Sequence, residues 1–297
     1  MIPMDGTCTR CMINRYYETA ISLGDGEQAE AFLRDIMKAY LALPKGVDAS
    51  AMGPEAARLL TEHYHLPPDR FLEEKQASNR FVLERLPQIK NMVETAPDPL
   101  YAAVQMAILG NYLDFSALQG QVSFEKLDEM LQKGLEIPVD QEQYRSFCRD
   151  LSKAKKLLYL TDNAGEIGFD RVLCEEIEKI YPDMDITVCV RGGPANNDAL
   201  REDAQLMQIP WRVIDNGINI AATPLDRIGR EAMDAIRSAD LIIAKGMGNT
   251  ESMYGCGYPV YYLFLIKCRR IGEVFGVPLM TPMLIKDNGR KANADET

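Results

Sequence analysis

The sequence predicts an α/β protein in which a helical amino-terminal region packs on a three-layer α/β/α domain with a mainly parallel sheet. Two observations predict this class. Residues 9–152 have helical spacing of apolar residues with no convincing strand, whereas short apolar runs alternate with amphipathic helices beyond Lys155. This alternation is typical of parallel sheets whose crossover helices cover both faces. We therefore expect a helical domain at residues 1–152 and an α/β/α domain at residues 153–297.

Breaks in the helical spacing divide the first half of the chain into several helices. Glycine or proline stands at each of the main breaks, which are Gly24, Pro44, Pro67, Pro97 and Gly134. Pro54 suits the first turn of one helix, and Ser123 suits the cap of another. This half is predicted to be a helical assembly.

Five apolar runs in the second half are predicted to be strands, at residues 157–161, 186–190, 211–214, 241–244 and 261–266. The segments between them predict helices at residues 166–180, 198–207 and 225–238. The polar tail at residues 287–297 is predicted to be frayed. Ligands of open α/β sheets bind beyond the carboxyl ends of the strands, so the residues that follow each run are the candidates for chemistry.

Composition narrows the classes of partner. The 297 residues include 33 Lys plus Arg and 44 Asp plus Glu, which gives a formal net charge of −11. An acidic chain without long basic runs is a poor partner for nucleic acid, so small ligands are expected instead. No apolar stretch approaches the roughly 20 residues that span a bilayer, and Met1–Asp5 lacks the features of a leader. We expect a cytoplasmic protein with no membrane partner, and composition does not indicate its oligomeric state.

Seven cysteines form an odd set in a chain without an export signal, so a disulfide framework is not expected. Cys8 and Cys11 form a single C-x-x-C. This pair could ligate zinc, act as a redox couple, or consist of two small apolar residues at the start of a helix. A zinc site would need about two further ligands, and the sequence leaves the three roles open.

Polar, glycine-rich segments follow three of the predicted strands, at residues 161–168, 191–198 and 245–251. Asp162 and Asn163 leave the first strand, and Asp198 occupies the matching point of the next unit, so their oxygens can converge. Oxygen ligands select a hard cation such as Mg²⁺ or Mn²⁺, which usually keeps waters and also binds substrate phosphate. Lys245 and the amides of the glycine-rich turns could hold the remaining phosphate charge. The pattern predicts phosphoryl transfer or phosphate hydrolysis.

Other interpretations of these segments were tested against the sequence. Asp162 and Asp198 could merely cap helices while the glycines form tight turns. The Lys245 segment does not match a Walker A loop, and the first turn matches a dinucleotide fingerprint poorly. Asp162 is followed at the second position by Ala164, which disfavours a phosphoenzyme of the haloacid dehalogenase type. No G-x-S-x-G elbow supports a serine hydrolase.

The segments after the strands resemble the active-site motifs of a known family, the metal-dependent damage-control phosphatases formerly called domain of unknown function 89. Three motifs carry the resemblance in the family's order: 162–166 followed by Asp170, Pro194 with Asn197-Asp198, and 245–249. Cys8-x-x-Cys11, the segment 74–79 and the segment 110–114 resemble the prokaryotic branch that carries the C-x-x-C. The resemblance covers nearly the whole chain.

The resemblance implies a helical region packed against an α/β/α domain, and it implies metal ligation by Asp162, Asn163 and Asp198. The implied ion is Mn²⁺, Co²⁺, Ni²⁺ or Mg²⁺. Phosphate or sugar contacts are implied for Lys245 and the turn that follows it, namely Gly246, Gly248 and Asn249. Further substrate contacts are expected at the cleft from Glu166, Asn111 and Asp114, although Asn111 and Asp114 could equally cap a helix turn.

These residues give a hypothesis of metal-dependent phosphomonoester hydrolysis, in which the metal bridges a phosphate oxygen and positions the attacking water. Lys245 would neutralise phosphate charge, and Asp162 is the first candidate for the group that deprotonates the water. The expected substrates are small phosphorylated metabolites, including sugar phosphates and damaged or side-product phosphoesters. This assignment would make the protein an enzyme of metabolite repair.

Two alternatives stay open. One is a carboxyl methyltransferase, because a eukaryotic relative of the resembled family carries that label, although no glycine-rich loop of the S-adenosylmethionine type is present. The other is a non-catalytic metabolite- or metal-binding protein in which Cys8 and Cys11 sense zinc or redox state. Metal-dependent turnover would separate catalysis from both alternatives.

Overall fold

The structure, a computed structural model, describes residues 1–111 and 124–287. Its first half contains α1 (Gly6–Leu23), α2 (Gly26–Ala42), α3 (Gly53–Tyr64), α4 (Leu72–Glu94), α5 (Pro99–Gly110), α6 (Phe124–Gln132) and α7 (Gln141–Leu151). Short 3₁₀ turns lie at Ala49–Met52 and Gly134–Glu136. No strand occurs among the described residues before Lys156, in agreement with the helical spacing.

The second half alternates strands and helices. Its strands are β1 (Lys156–Leu160), β2 (Asp185–Val190), β3 (Arg212–Asp215), β4 (Leu241–Lys245), β5 (Val260–Leu265) and β6 (Pro282–Lys286). Its helices are α8 (Glu166–Ile180), α9 (Arg201–Leu206), α10 (Arg230–Ser238), α11 (Gly246–Met253) and α12 (Arg269–Phe275). The five predicted strands and the helix at 166–180 are therefore confirmed, with strand ends that differ by one residue at most.

Two predicted helices begin later than expected because backbone hydrogen bonds hold their first residues in turns. Residue 199 donates its N–H to the Asp162 carbonyl at 2.8 Å, so helix α9 begins only at Arg201. Residues 224–229 form a turn in which Gly229 N donates to Asn216 O at 2.8 Å, and α10 begins at Arg230.

Helices α11 and α12 and strand β6 are not predicted by the sequence pattern. The glycine-rich segment after β4 was interpreted as a turn, but its glycines start helix α11. Strand β6 pairs antiparallel with β5 at the edge of the sheet. It begins with Pro282, which has no N–H to donate and is therefore tolerated at the first position of an edge strand.

The six strands lie in the order β3-β2-β1-β4-β5-β6, and all neighbouring pairs except β5 and β6 are parallel. Alternate strand residues enter two different hydrophobic cores. Leu157, Tyr159 and Ile243 belong to one core with residues of α4, α5, α7 and α8, whereas Leu158, Ile242 and Phe264 belong to the other with residues of α10, α11 and α12. Helices therefore cover both faces, which makes the α/β/α layers and confirms the predicted fold class.

The larger core crosses the junction between the helical half and the sheet half. It contains Val82 and Ile89 of α4 together with Ile167 and Leu173 of α8, and all four side chains are fully buried. A smaller core joins α1, α2 and α3, with Phe32 at its centre. The chain changes from helices to sheet between Leu151 and Lys156, and the packing of the larger core crosses this change.

None of the helices in residues 1–111 and 124–287 combines the length and the apolar character needed to span a bilayer.

Gly168→Ala tests the packing of the helical half against α8. A methyl group at Gly168 would lie 2.6 Å from Val82 Cγ1 and 3.2 Å from Met207 Sδ. Overpacking of this kind costs about 1–3 kcal/mol, which outweighs the gain of up to about 1 kcal/mol from alanine in a helix. We expect Gly168→Ala to lower the free energy of unfolding in urea, and Val82→Ala in the same chain to recover part of the loss.

Gly26→Ala is the matched control, because a methyl group there meets no atom within 4 Å. It should leave the free energy of unfolding unchanged to within about 0.5 kcal/mol. Strictly additive effects of Gly168→Ala and Val82→Ala would contradict the direct contact between α4 and α8.

Candidate active site

A cavity of about 510 Å³ lies between the carboxyl edge of the sheet and helices α1 and α3. It opens where the strand order reverses, because the chain passes from β1 to β2 on one side and places β4 on the other side of β1. Such switch points are where open α/β sheets bind ligands. Asp162, Asn163, Asp198, Asn111 and Gly248 all line this cavity.

Backbone hydrogen bonds hold together the two loops that carry Asp162, Asn163 and Asp198. Ala164 N donates to Asn197 O at 2.9 Å, and Ala199 N donates to Asp162 O at 2.8 Å. Asn163 and Asp198 form a short antiparallel bridge between the loops. The parallel strand ends predict that Asp162, Asn163 and Asp198 lie close together, and the structure brings all three to the cavity. We call these three residues the donor set, because their side-chain oxygens could donate electron pairs to a cation.

Glu166 and Asn111 hold the donor set from beneath. Glu166 is fully buried and accepts a hydrogen bond from Asn163 Nδ2 at 2.7 Å. Asn111, at the end of α5, donates from Nδ2 to Asp162 Oδ2 at 3.0 Å and to Glu166 Oε2 at 3.1 Å. Its Oδ1 accepts from Leu265 N at 3.1 Å. Asn111 therefore lies at the cavity as predicted, but Glu166 is behind the donor set and cannot contact substrate directly.

The structure corrects the position of Lys245, which was expected to contact phosphate. Its ammonium group is fully buried and donates to Ala107 O at 2.6 Å, Glu166 Oε1 at 2.7 Å and Asp170 Oδ1 at 2.7 Å. These three bonds use all of its N–H groups. Lys245 therefore holds two carboxylates below the cavity, and it does not line the cavity itself.

The pKa values of this ion pair are set by competing effects. Burial raises the pKa of Asp170 to about 6, although the neighbouring Lys245 opposes this shift. Burial alone would lower the pKa of Lys245, but Asp170 and Glu166 raise it above the ordinary lysine value. Lys245 therefore stays charged at neutral pH. Tyr159 supports the pair by donating its hydroxyl to Asp170 Oδ1 at 2.7 Å.

Arg191 is a site residue that the sequence analysis did not single out. Its side chain is buried, and Nε donates to Asp198 Oδ2 at 2.6 Å. Among the described residues, its Nη2 has no hydrogen-bond partner, and it lies 4.0 Å from Asp162 Oδ1. A basic residue directly after β2, in the same loop as Asp198, was the feature that could have identified it.

Two of the predicted glycines are required by close contacts. Gly246 has a φ of +78°, and a Cβ there would lie 1.9 Å from Asp162 Oδ2. A Cβ on Gly248 would lie 2.2 Å from Ala221 O. Asn249, predicted to bind substrate, is instead fully buried and donates to Thr161 O at 3.0 Å and Lys245 O at 2.8 Å. It joins the ends of β1 and β4 rather than facing the cavity.

Asn79 of α4 positions the first loop from the helical half. Its Oδ1 accepts from Gly165 N at 2.7 Å, and its Nδ2 donates to Asp203 Oδ1 at 2.6 Å. A Cβ on Gly165 would lie 2.9 Å from Ser78 Cβ, so this helix packs directly on the loop. Asn79 belongs to a segment that carries the family resemblance, and the sequence alone did not reveal its contact with Gly165.

The remaining predictions concern Asp114 and the cysteines. Asp114 lies outside the described residues. Cys8 and Cys11 lie in α1 as free thiols, and the other five cysteines are also unpaired. Within residues 1–111 and 124–287, no group of three His, Cys, Asp or Glu side chains is arranged to hold a metal. Within these ranges, Cys8 and Cys11 therefore have no third ligand of these types placed for a zinc site.

The chemistry of the donor set fits a hard divalent cation. A cation there would need the Asn163 amide oxygen beside the two carboxylates, and Asn163 Oδ1 is available because Nδ2 makes the hydrogen bonds to Asp162 and Glu166. Buried charges are the second argument. Four buried carboxylates and two buried cations form one cluster, whose net charge of −2 a divalent cation would neutralise. We call this set the charge cluster: Asp162, Glu166, Asp170, Asp198, Arg191 and Lys245.

The chain is similar to a known protein family and to several individual proteins. The family model described as "Damage-control phosphatase ARMT1-like domain" matches residues 4–281. "Uncharacterized protein MJ0202" of Methanocaldococcus jannaschii is 34% identical over 295 residues, which cover 94% of this chain and 94% of the relative. A protein of Archaeoglobus fulgidus named "Damage-control phosphatase" is 32% identical over 285 residues, which cover 91% of this chain and 94% of the relative.

A solved structure is similar over the same extent. The crystal structure of a DUF89 family protein, PH1575 from Pyrococcus horikoshii, matches with a TM-score of 0.83 and 26% sequence identity. The match covers 97% of this chain and 100% of that chain. Both the helical half and the sheet half are therefore part of the shared fold.

Lys245→Met tests the buried ion pair. Without the ammonium group, Glu166 and Asp170 are buried without a cation, which costs about 3–5 kcal/mol when both are ionised. The folded protein binds a proton on Asp170 more tightly than the unfolded chain does, so stability falls as pH rises through the Asp170 pKa. We expect urea unfolding to show a larger loss for Lys245→Met at about pH 8 than at about pH 5.

Asp170→Asn in the Lys245→Met chain is the matched control, because it removes one of the two stranded charges. It should recover part of the stability and flatten the pH dependence. A loss of equal size at both pH values in Lys245→Met would contradict the assigned ion pair.

Proposed function

The chain belongs to the damage-control phosphatase ARMT1-like family, and from this premise we propose that it hydrolyses phosphomonoesters of small metabolites with a divalent cation. The proposed substrates are sugar phosphates or damaged and side-product phosphoesters. Mn²⁺, Co²⁺, Ni²⁺ and Mg²⁺ are the proposed ions. The observation that carries the proposal is the donor set, which lines a cavity of small-metabolite size and contributes Asp162 and Asp198 to the charge cluster.

Asp162, Asn163 and Asp198 are the residues that would hold the cation. When bound, the ion supplies Lewis-acid polarisation of a phosphoryl oxygen and activation of water. The protein's part is to keep the three donors in place before substrate arrives. Asn111 does this for Asp162 and Glu166 does it for Asn163. Arg191 holds Asp198.

Asp162 is the better candidate of the two cavity carboxylates for accepting a proton from the attacking water. Its Oδ2 accepts hydrogen bonds from the neutral amides of Asn111 and Asn163. Asp198, in contrast, accepts a charge-assisted hydrogen bond from Arg191 at 2.6 Å. Taking a proton would cost Asp198 this ion pair, so of the three proposed ion ligands we assign Asp162 the additional role of accepting the proton from the water.

The amino-terminal end of α11 takes over the phosphate contact that was expected from Lys245. Met247 and Gly248 of its first turn line the cavity. The first N–H groups of a helix carry partial positive charge and favour an anion at that end. Lys245 and Arg191 add positive charge from beneath without contacting the substrate.

Phosphate release tests this proposal directly. Metal-stripped protein is incubated with a panel of sugar phosphates and p-nitrophenyl phosphate, each with Mg²⁺, Mn²⁺, Co²⁺ or Ni²⁺. We expect release only after an ion is restored. Asp162→Asn and Asp198→Asn should each lower kcat/KM by at least about 100-fold, because ion ligands are lost.

Asp226→Asn is the control for a loss of negative charge, since the Asp226 side chain is 82% exposed on the surface. It should retain full activity. Phosphate release that persists in both donor variants, or that does not respond to any ion, would contradict the proposal. Folded protein that binds phosphate esters without turnover would favour a binding protein instead.

A further inference from the structure

The helical half contributes two arginines to the same cavity as the donor set. Arg15 of α1 and Arg70, which precedes α4, both line it, and Tyr16 and Phe71 lie beside them. Arg70 is half-buried, and its guanidinium lies 4.7 Å from the centroid of the Phe71 ring. We call Arg15 and Arg70 the arginine pair.

No carboxylate among the described residues forms an ion pair with either member of the arginine pair. The carboxylate next to Arg70 in the sequence, Asp69, is already used, because it pairs with Lys75 at 2.5 Å and accepts from Phe71 N at 3.2 Å. Arg58 offers a contrast. It lines the same cavity, but its guanidinium is paired with Glu55 and Glu62.

The two arginines also act on each other and on Tyr16. Burial, followed by repulsion from Arg15, lowers the pKa of Arg70 below the ordinary arginine value. Burial raises the pKa of Tyr16, whereas Arg15 and Arg70 oppose that shift. Glu74 is close enough to oppose the lowering of the Arg70 pKa, but among the described residues it forms no ion pair with either guanidinium group. The two guanidinium groups therefore still repel each other, and a bound anion would relieve this repulsion.

The cavity lining therefore combines the carboxylates of the donor set, from the sheet half, with the arginine pair, from the helical half. We propose that Arg15 and Arg70 form a second anion subsite, so that the preferred substrates carry another anionic group besides the phosphomonoester. The substrate class rests on the proposed phosphatase function, whereas the subsite itself rests on the arginine pair alone. Phosphate and carboxylate both match the planar, forked donors of arginine.

The surroundings of the arginine pair fit the carbon part of such a molecule. Apolar residues of the helical half also line the cavity, namely Tyr16, Leu66, Pro67, Pro68 and Phe71. Small-ligand sites combine apolar contact area with a few placed polar groups that fix orientation. The helical half would thus recognise the remote end of the substrate, while the sheet half holds the phosphate to be cleaved.

Binding of non-hydrolysable ligands tests the subsite without requiring turnover. The full chain with Mg²⁺ is titrated calorimetrically with alkyl monophosphonates, alkyl bisphosphonates and phosphonocarboxylates of graded linker length. In the wild type, the best doubly charged ligand should bind about tenfold more tightly than its monophosphonate counterpart, because one charge-assisted hydrogen bond supplies about that factor. The more effective second group, phosphonate or carboxylate, identifies the substrate's second anion.

Arg70→Gln should remove most of this gain and leave monophosphonate affinity within about twofold. Arg15→Gln should remove less of it, about threefold, because Arg15 is exposed to solvent and its charge is screened. Arg58→Gln is the matched control in the same cavity and should retain the whole gain.

Two results would overturn the subsite: no doubly charged ligand of any length gains affinity in the wild type, or Arg58→Gln loses as much as Arg70→Gln. The outcomes also separate the two proposals. A gain that depends on Arg70 in a protein that releases no phosphate would leave the subsite intact and reject the phosphatase. Phosphate release without any such gain would reject the subsite alone.

Discussion

The buried ion pair of Lys245 with Glu166 and Asp170 is the interaction on which the rest of the site depends. Lys245 leaves β4, both acids lie on α8, and the third hydrogen bond of the ammonium group goes to Ala107 of α5. One side chain therefore joins the sheet, its crossover helix and the helical half. Glu166 also accepts a hydrogen bond from Asn163. A displacement of Lys245 would therefore shift Glu166, and through Glu166 it would shift the donor set.

Buried charges at this density are costly unless they are paired, and this cost explains why the helical half is part of the site. Asn111 ends α5 against Asp162, and Asn79 of α4 holds the backbone of Gly165. These contacts satisfy polar groups that the sheet half would otherwise leave open at the cavity. The helical half thus completes the donor loops, and it also supplies the arginine pair of the proposed subsite.

Much of the site was predictable from the sequence, for a physical reason. Parallel strands end at one edge, so residues such as Asp162 and Asp198 directly after neighbouring strands must lie close together. The direction in which a side chain points after a strand is not predictable in the same way. The Lys245 side chain is buried because it donates hydrogen bonds to acids on α8 and to a carbonyl on α5. These contacts depend on the packing of segments that are distant in sequence. Asn79 and Arg70 escaped prediction for the same reason, since their roles arise from contacts between elements far apart in sequence. Arg191 is different, because its partner Asp198 lies in the same loop.

The central proposal is that Asp162, Asn163 and Asp198 together hold one divalent cation that neutralises the charge cluster. Titration of metal-stripped protein with Mn²⁺, followed by electron paramagnetic resonance of the free ion, measures this without any substrate. The account predicts one tight site per chain, weakened by at least about 100-fold in Asp198→Asn and unchanged in Asp226→Asn. Mn²⁺ binding of equal affinity in the wild type and Asp198→Asn, or no binding by folded wild-type protein, would contradict it.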